Sequence, residues 1–126
     1  MKNFLILMAG LAVINAVLYF YTPSATAASS GPASIATMNQ GKVAVYFGAT
    51  WCGPCKRAKP VFNELAGEMK SCSFLVLDVD QEKELAQKFE IRSIPMIVVL
   101  NDGKEKGRFD GSPDKAEMKQ QIEQNL

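Results

Sequence analysis

The chain has 126 residues, with 14 basic and 13 acidic side chains and no histidine. This length suits a single domain. A near-neutral charge without a basic run gives no reason to expect nucleic acid or an anionic membrane surface as a partner. The lack of histidine excludes a serine–histidine or cysteine–histidine catalytic pair and every histidine-containing metal site.

The first 27 residues have the composition of a targeting segment. They combine Lys2, an apolar stretch over residues 4–21 and the small-residue triplet at 25–27, which together are typical of a secretory signal peptide cleaved after Ala27. The apolar stretch approaches the roughly 17 to 25 residues that span a bilayer, so an uncleaved membrane anchor stays open. A buried helix of the fold is the third interpretation. In the first two, the rest of the chain faces an extracytoplasmic space, periplasmic or secreted, and meets the membrane only through this segment.

The next part of the chain alternates between strand and helix signals. Residues 28–41 are expected to be a linker, flexible over ASSGPAS at 28–34, with room for a short first helix, and residues 42–126 to be the folded domain. The β-branched and aromatic run VAVYF at 43–47 predicts a buried strand. A helix is expected over residues 53–69, beginning near Pro54 and kinked at Pro60.

The second half of the domain repeats this alternation. FLVLDV at 74–79 predicts another buried strand, after which Asp80 is expected to cap a short helix. Two runs, at 95–100 and 106–109, flank the Asn-Asp-Gly sequence at 101–103, which is a strong hairpin signal. A last helix is expected to open at Ser112 and Pro113. This order of elements predicts an α/β fold in which a right-handed crossover joins two parallel strands.

Two cysteines, Cys52 and Cys55, lie at the expected start of the first long helix. A zinc site needs four ligands, and Cys72 is the only other cysteine, so we expect no metal. A structural disulfide between the two stays open, although so short a loop removes little chain entropy on closure. A redox pair has a mechanism, because backbone N–H groups and the dipole at a helix start favour a thiolate at Cys52. No bound cofactor is expected, and the redox-active group is the cysteine pair itself.

The sequence resembles the thioredoxins from about Lys42 to Leu126. WCGPCK at 51–56 matches their active-site motif letter for letter, and four further segments fall at the family's spacings: FLVLDVD at 74–80, FEIRSIP at 89–95, NDG at 101–103 and DG at 110–111. The resemblance implies a thioredoxin fold, with a central mixed β-sheet flanked by helices. The family's first strand is expected to be eroded or absent, because only residues 28–41 precede Lys42.

The resemblance also implies the roles of the site residues. Cys52 is the nucleophile that attacks a substrate disulfide, and Cys55 resolves the mixed disulfide that forms. Ile94 and Pro95 look like the cis-proline dipeptide beside the active site, with the backbone of Ile94 pairing with an incoming substrate strand. The remaining residues of this implied docking surface are Trp51, Gly53, Pro54 and Gly111.

The expected function is an exported thiol-disulfide oxidoreductase that reduces or exchanges protein disulfides. Gly-Pro between the cysteines and isoleucine before Pro95 are similar to the reducing members of the family. Such a protein needs an electron donor, either a reductase or a membrane thiol carrier. We expect the protein itself to be a monomer. Two alternatives stay open: a redox-inert thioredoxin-fold binding module, and a tethered subunit of a larger complex.

Two positions depart from the family pattern. Thioredoxins usually bury an aspartate where this chain has Tyr46 and a partner lysine where it has Val76, so the usual proton relay beneath Cys55 is absent as a pair. Tyr46 is either a core aromatic or a weak substitute that acts through its hydroxyl. Because a phenol is a poor base near neutrality, the sequence predicts slow resolution by Cys55 at pH 7.

Three further residues have two interpretations each. Lys56 and Arg57 either add positive potential near the nucleophile or belong to a solvated helix face. Cys72 precedes a predicted buried strand and is expected to be an inert core thiol. A regulatory or intermolecular disulfide through Cys72 is the alternative, because a third cysteine in an exported protein permits one.

Overall fold

The computed structural model describes residues 32–126, so the predicted signal or anchor segment lies outside the described residues. Four helices and four strands make up the part that is described. In chain order they are α1 (Pro32–Met38), β1 (Lys42–Gly48), α2 (Gly53–Glu68), β2 (Ser73–Asp78), α3 (Lys83–Lys88), β3 (Met96–Asn101), β4 (Lys104–Asp110) and α4 (Lys115–Asn125). Over the same stretch, no helix has the length and apolar character needed to cross a bilayer.

The four strands form one mixed sheet in the order β2-β1-β3-β4. β1 pairs in parallel with β2, with Tyr46 opposite Val76 and Gly48 opposite Asp78. The β1–β3 and β3–β4 pairs are antiparallel. The parallel pair and the hairpin are therefore confirmed. From residue 32 onward no strand precedes β1, in agreement with the expected loss of the first strand.

β1 is the central strand and is buried on both faces from Val43 to Gly48. This explains why its sequence is almost continuously apolar, since alternate residues of a strand point to opposite faces and here both faces are covered. Ala44 and Tyr46 belong to an apolar layer shared with α2 and α4. Val43, Val45 and Phe47 belong to a second layer, which α1 and α3 cover through Met38 and Leu85.

The β3–β4 hairpin turns at Asp102 and Gly103. Both residues have positive φ, 49° and 78°, as a two-residue type I′ turn requires. The Asp102 carboxylate accepts a hydrogen bond from the Gly41 N–H at 2.8 Å, and the Asp102 N–H donates to the Gly41 carbonyl at 2.8 Å. The turn therefore also holds the segment that leads into β1.

Several predicted boundaries need correction. Asp80 does not cap a helix, because α3 begins at Lys83 and its N-cap, Glu82, makes no capping bond through its side chain. The last helix begins at Lys115 and is capped by Asp114, whose side chain accepts from the Glu117 N–H, rather than opening at Ser112. α1 begins at Pro32, so the short first helix for which residues 28–41 had room is present, and it overlaps the stretch 28–34 that was expected to be flexible. The long helix, α2, is continuous through Pro60, and its kink stays a prediction.

Candidate active site

The two motif cysteines lie at the N-terminus of α2 and form a disulfide, with their Cα atoms 5.2 Å apart. Cys52 is the N-cap residue, with extended φ and ψ of −78° and 115°. Its Sγ accepts a hydrogen bond from the Cys55 N–H at 3.2 Å. Both cysteines are buried, with 4% and 3% of their surfaces exposed.

This position favours negative charge on Cys52 once the disulfide is reduced. The first N–H groups of a helix have no intrahelical partners, and the helix dipole places positive potential at the same end. The bond from the Cys55 N–H to the Cys52 sulfur directs one of those donors to the reacting atom. A thiolate at this position is therefore stabilised relative to the thiol.

The peptide bond between Ile94 and Pro95 is cis, as the resemblance to the thioredoxins implies. The Ile94 carbonyl oxygen lies 3.9 Å from Cys52 Sγ. Gly111 packs against this segment, and its N–H donates to the Pro95 carbonyl at 3.0 Å. A Cβ at Gly111 would lie 2.9 Å from the Pro95 Cβ, which is too close for a side chain there without movement. The three residues form one contact unit beside the disulfide.

Trp51 lies on the outer surface of the site. Its side chain is 68% exposed, and its indole N–H donates to the Asp80 carboxylate at 2.7 Å. A groove of about 210 Å³ runs beside it. The residues that line the groove are Trp51, Val79, Ile91, Arg92, Ser93 and Ile94.

The structure therefore brings most of the predicted docking residues together. Trp51 and Ile94 share the groove, and Gly53 and Pro54 are exposed in the first turn of α2, which follows Trp51 and Cys52 in the chain. Asp80 was missed as a site residue and was taken for a helix cap. Its signal in the sequence is its place just after a strand parallel to β1, because the carboxyl ends of parallel strands meet at one edge of a sheet.

Tyr46 lies behind the site, on β1, and is 1% exposed. Its hydroxyl donates a hydrogen bond to the Cys55 carbonyl at 3.2 Å, and its ring packs against Phe62 with 5.3 Å between centroids. Burial raises the pKa of Tyr46 to about 12. A Cβ at Gly48 would lie 2.6 Å from the Tyr46 ring, so the glycine leaves the space that the ring needs. Tyr46 is therefore a core aromatic whose hydroxyl is used as a donor.

The other candidate residues do not line the groove beside Trp51. Lys56 and Arg57 are exposed on α2. Cys72 is half-buried just before β2 and forms no disulfide. Burial raises the pKa of its thiol, outweighing the opposing effects of a hydrogen bond to the Ala44 backbone and the charge of Lys42. No group of three or more metal-ligating side chains occurs between residues 32 and 126.

Comparison with known proteins decides the family. The thioredoxin family model matches residues 30–124. The chain belongs to the thioredoxin family. It is 44% identical over 79 residues to a thioredoxin of Mycoplasmoides gallisepticum, covering 63% of this chain and 79% of the relative. It is 43% identical over 83 residues to a thioredoxin of Staphylococcus saprophyticus, covering 65% and 80%.

Solved thioredoxin structures have the same fold. The oxidised thioredoxin of Plasmodium falciparum superposes with a TM-score of 0.69 at 30% identity, covering 80% of this chain and 97% of that one. Thioredoxin of Fasciola hepatica superposes with a TM-score of 0.65 at 33% identity, covering 75% and 89%. The predicted thioredoxin fold, a mixed sheet flanked by helices, is thereby confirmed. The chain is a thiol-disulfide oxidoreductase with protein-disulfide reductase activity, and Cys52 and Cys55 are its redox-active pair.

Proposed function

We propose that this thioredoxin is exported and reduces disulfides of other proteins outside the cytoplasm, with Cys52 as nucleophile and Cys55 as resolving cysteine. The observation that carries the assignment is the position of the Cys52 sulfur. It lies at the helix N-terminus, accepts the Cys55 N–H at 3.2 Å, and faces the Ile94 carbonyl at 3.9 Å. Cys55 lies inside the first turn and receives less help from the helix terminus.

The reduction cycle consists of two exchanges. The Cys52 thiolate attacks one sulfur of a substrate disulfide, forming a mixed disulfide while the other substrate sulfur leaves as a thiolate and takes up a proton. Cys55 then loses its proton and attacks Cys52 Sγ, so that the second substrate sulfur leaves. The substrate gains two electrons and two protons, and the Cys52–Cys55 pair becomes a disulfide.

The docking surface for the substrate protein is the groove beside Trp51 together with the exposed first turn of α2. An extended substrate segment is placed next to the disulfide when its backbone pairs with Ile94. The indole bond to Asp80 holds the Trp51 ring in one orientation. Apolar contact with Trp51 and Ile91 then supplies affinity without demanding a particular sequence, which suits an enzyme that acts on many proteins.

Export is supported by the sequence of residues 1–27 alone. Its lysine, apolar stretch and Ala-Thr-Ala triplet are typical of a signal peptide. Outside the cytoplasm a reducing site turns over only if another protein reduces it, so we propose a reductase or a membrane thiol carrier as electron donor. The intact mass of the protein from its native host shows whether residues 1–27 are removed.

A mass that corresponds to a chain beginning at Ala28 supports cleavage. A full-length mass in the membrane fraction supports an anchor, and a full-length mass in the cytosol contradicts export.

Variants in which one cysteine is replaced by serine test the roles assigned to Cys52 and Cys55. We expect Cys52→Ser to abolish reduction of insulin disulfides, whereas Cys55→Ser should accumulate mixed disulfides with substrate because nothing resolves them. Cys72→Ser is the matched control, since Cys72 lies away from the disulfide, and it should retain activity. Full insulin reduction by Cys52→Ser would contradict the mechanism.

A further inference from the structure

A second cavity, of about 230 Å³, lies behind the disulfide between the sheet and α2. The titratable groups that line it are those of Tyr46, Cys55, Lys56, Lys59 and Asp78. Cys55 itself is 3% exposed, whereas the two lysines are exposed and Asp78 is half-buried. The cavity therefore joins a buried sulfur to the surface. A water molecule occupies about 30 Å³ of liquid, so there is room for several.

The resolving step needs a proton acceptor near Cys55, because a thiol attacks a disulfide only as the thiolate. Tyr46 does not serve, since its hydroxyl already donates to the Cys55 carbonyl. Lys56 and Lys59 do not serve either, because an ammonium group has three donors and no acceptor. Among the side chains that line the cavity, this leaves the carboxylate of Asp78.

Asp78 is well placed for this work. It is the last residue of β2 and pairs with Gly48 of β1. By the alternation of a strand it shares a face with Val76, which lies opposite Tyr46. Its Oδ1 accepts the Asp80 N–H at 2.8 Å, and no other hydrogen bond to this carboxylate occurs in the described part of the chain. Oδ2 is therefore available to water in the cavity.

We propose that Asp78, acting through water in this cavity, accepts the proton of Cys55 during resolution. The Cys55 S–H bond breaks, its proton passes through water to the carboxylate, and the sulfur keeps the electron pair. That pair forms the bond to Cys52 Sγ as the bond from Cys52 to the substrate breaks, and the substrate thiolate leaves. Asp78 then returns its proton to solvent. This rests on the proposed role of Cys55 as resolving cysteine.

With Asp78 as proton acceptor, resolution at pH 7 is faster than the expectation based on Tyr46. The direction in which a substitution of Asp78 changes the rate of resolution distinguishes this role from a simple charge effect. A negative charge beside Cys55 opposes formation of the thiolate. If Asp78 acted only through its charge, removing that charge would speed resolution. If Asp78 accepts the proton, removing it slows resolution. One substitution, Asp78→Asn, therefore distinguishes the two.

Rapid mixing of the reduced full-length chain with an equimolar aryl disulfide measures the two exchanges separately, in a Cys72→Ser background. The first aryl thiolate released reports attack by Cys52, and the second reports resolution by Cys55. We expect Asp78→Asn to slow the second release about tenfold at pH 7, less than the roughly 100-fold of directly placed general bases because water intervenes. The rate of this variant should then rise about tenfold per pH unit, as an unassisted thiol ionises, so that by about pH 8 it equals the rate of the wild-type chain at pH 7.

Two more variants complete the test. Glu84→Gln removes one negative charge from an exposed position on α3 and should leave both releases unchanged. Val76→Leu places added volume in the cavity without changing charge and should also slow the second release. An unchanged or faster second release in Asp78→Asn overturns the proposal, and a wild-type second release in Val76→Leu overturns the water route. Absence of the first release in the wild-type chain would instead contradict the proposed function. Asparagine keeps an oxygen for the Asp80 N–H, so the strand end should be preserved.

Discussion

The ring and the hydroxyl of Tyr46 make different kinds of contact. The ring fills the space above Gly48 and against Phe62, and the hydroxyl bonds the Cys55 carbonyl. The sequence left two interpretations of this residue, because alternation along a strand gives the face of a side chain but not the atom that its hydroxyl will meet. The structure supports the core interpretation and adds a link between β1 and the active-site helix.

The raised pKa of Tyr46 predicts a loss of stability at alkaline pH. Burial raises this pKa from 10.0 to about 12, so between those values the unfolded chain ionises the phenol while the folded chain keeps it protonated. The stability contributed by the protonated phenol is complete below pH 10 and is lost as the pH rises towards 12, by up to about 3 kcal/mol.

Urea unfolding from pH 8 to 11.5 checks this prediction, with Tyr46→Phe as the control. The variant should be less stable at pH 8 by about 1 kcal/mol, because a buried hydrogen bond is lost. Its decline with pH should be shallower than that of the wild-type chain, since the remaining tyrosines and lysines are common to both. Parallel curves would show that ionisation of Tyr46 does not contribute.

Gly111 and Gly67 offer a matched pair of substitutions to alanine. Gly111→Ala should destabilise by about 1 to 3 kcal/mol, because its Cβ would lie 2.9 Å from Pro95 and force that residue to move. Gly67→Ala should stabilise by about 0.5 to 1 kcal/mol, since Gly67 is in α2 with nothing within 4 Å and alanine is the better helix former. Urea midpoints measure both, and equal effects of one sign would contradict the argument.

At the scale of elements, the helices and strands could be predicted from local sequence signals, whereas the wrong helix boundaries result from tertiary contacts. The hairpin was predictable because Asn-Asp-Gly favours the positive φ that the turn needs. The start of α3 was misplaced because the Asp80 side chain, a good capping group, is held by the Trp51 indole instead. That contact joins residues 29 positions apart, and no local pattern reveals it.

The cap of α4 gives a prediction at the same scale. Asp114→Ala should lower the free energy of unfolding by about 1 kcal/mol, because the carboxylate that accepts the Glu117 N–H is removed. Asp110→Ala removes the same charge from an exposed residue at the end of β4 and should cost less. Chemical denaturation of both variants provides the measurement, and an equal loss in the two would show that the cap contributes nothing beyond charge.

For the whole molecule, the sequence predicted the substrate-facing side of the active site better than the side that faces the sheet. Cys52, Cys55, Ile94 and Pro95 are carried by motifs whose spacing is read directly from the chain. The cavity behind Cys55 is different, because it exists only where the end of β2 lies under the first turns of α2. Replacement of the family's buried aspartate by Tyr46 is visible in the sequence, but the space and the carboxylate that remain beside it are not.

The sheet order leaves β2 and β4 as the outer strands of the described domain, and the two differ in how they resist aggregation. β4 carries Lys104, Glu105, Lys106 and Arg108, and charged side chains discourage another strand from adding to an edge. β2 is Ser-Phe-Leu-Val-Leu-Asp, with no charge before its last residue and a composition that favours intermolecular β-pairing. When heat or denaturant loosens this protein, self-association should therefore begin at β2, and the solubility of the partly unfolded chain depends on what covers that strand.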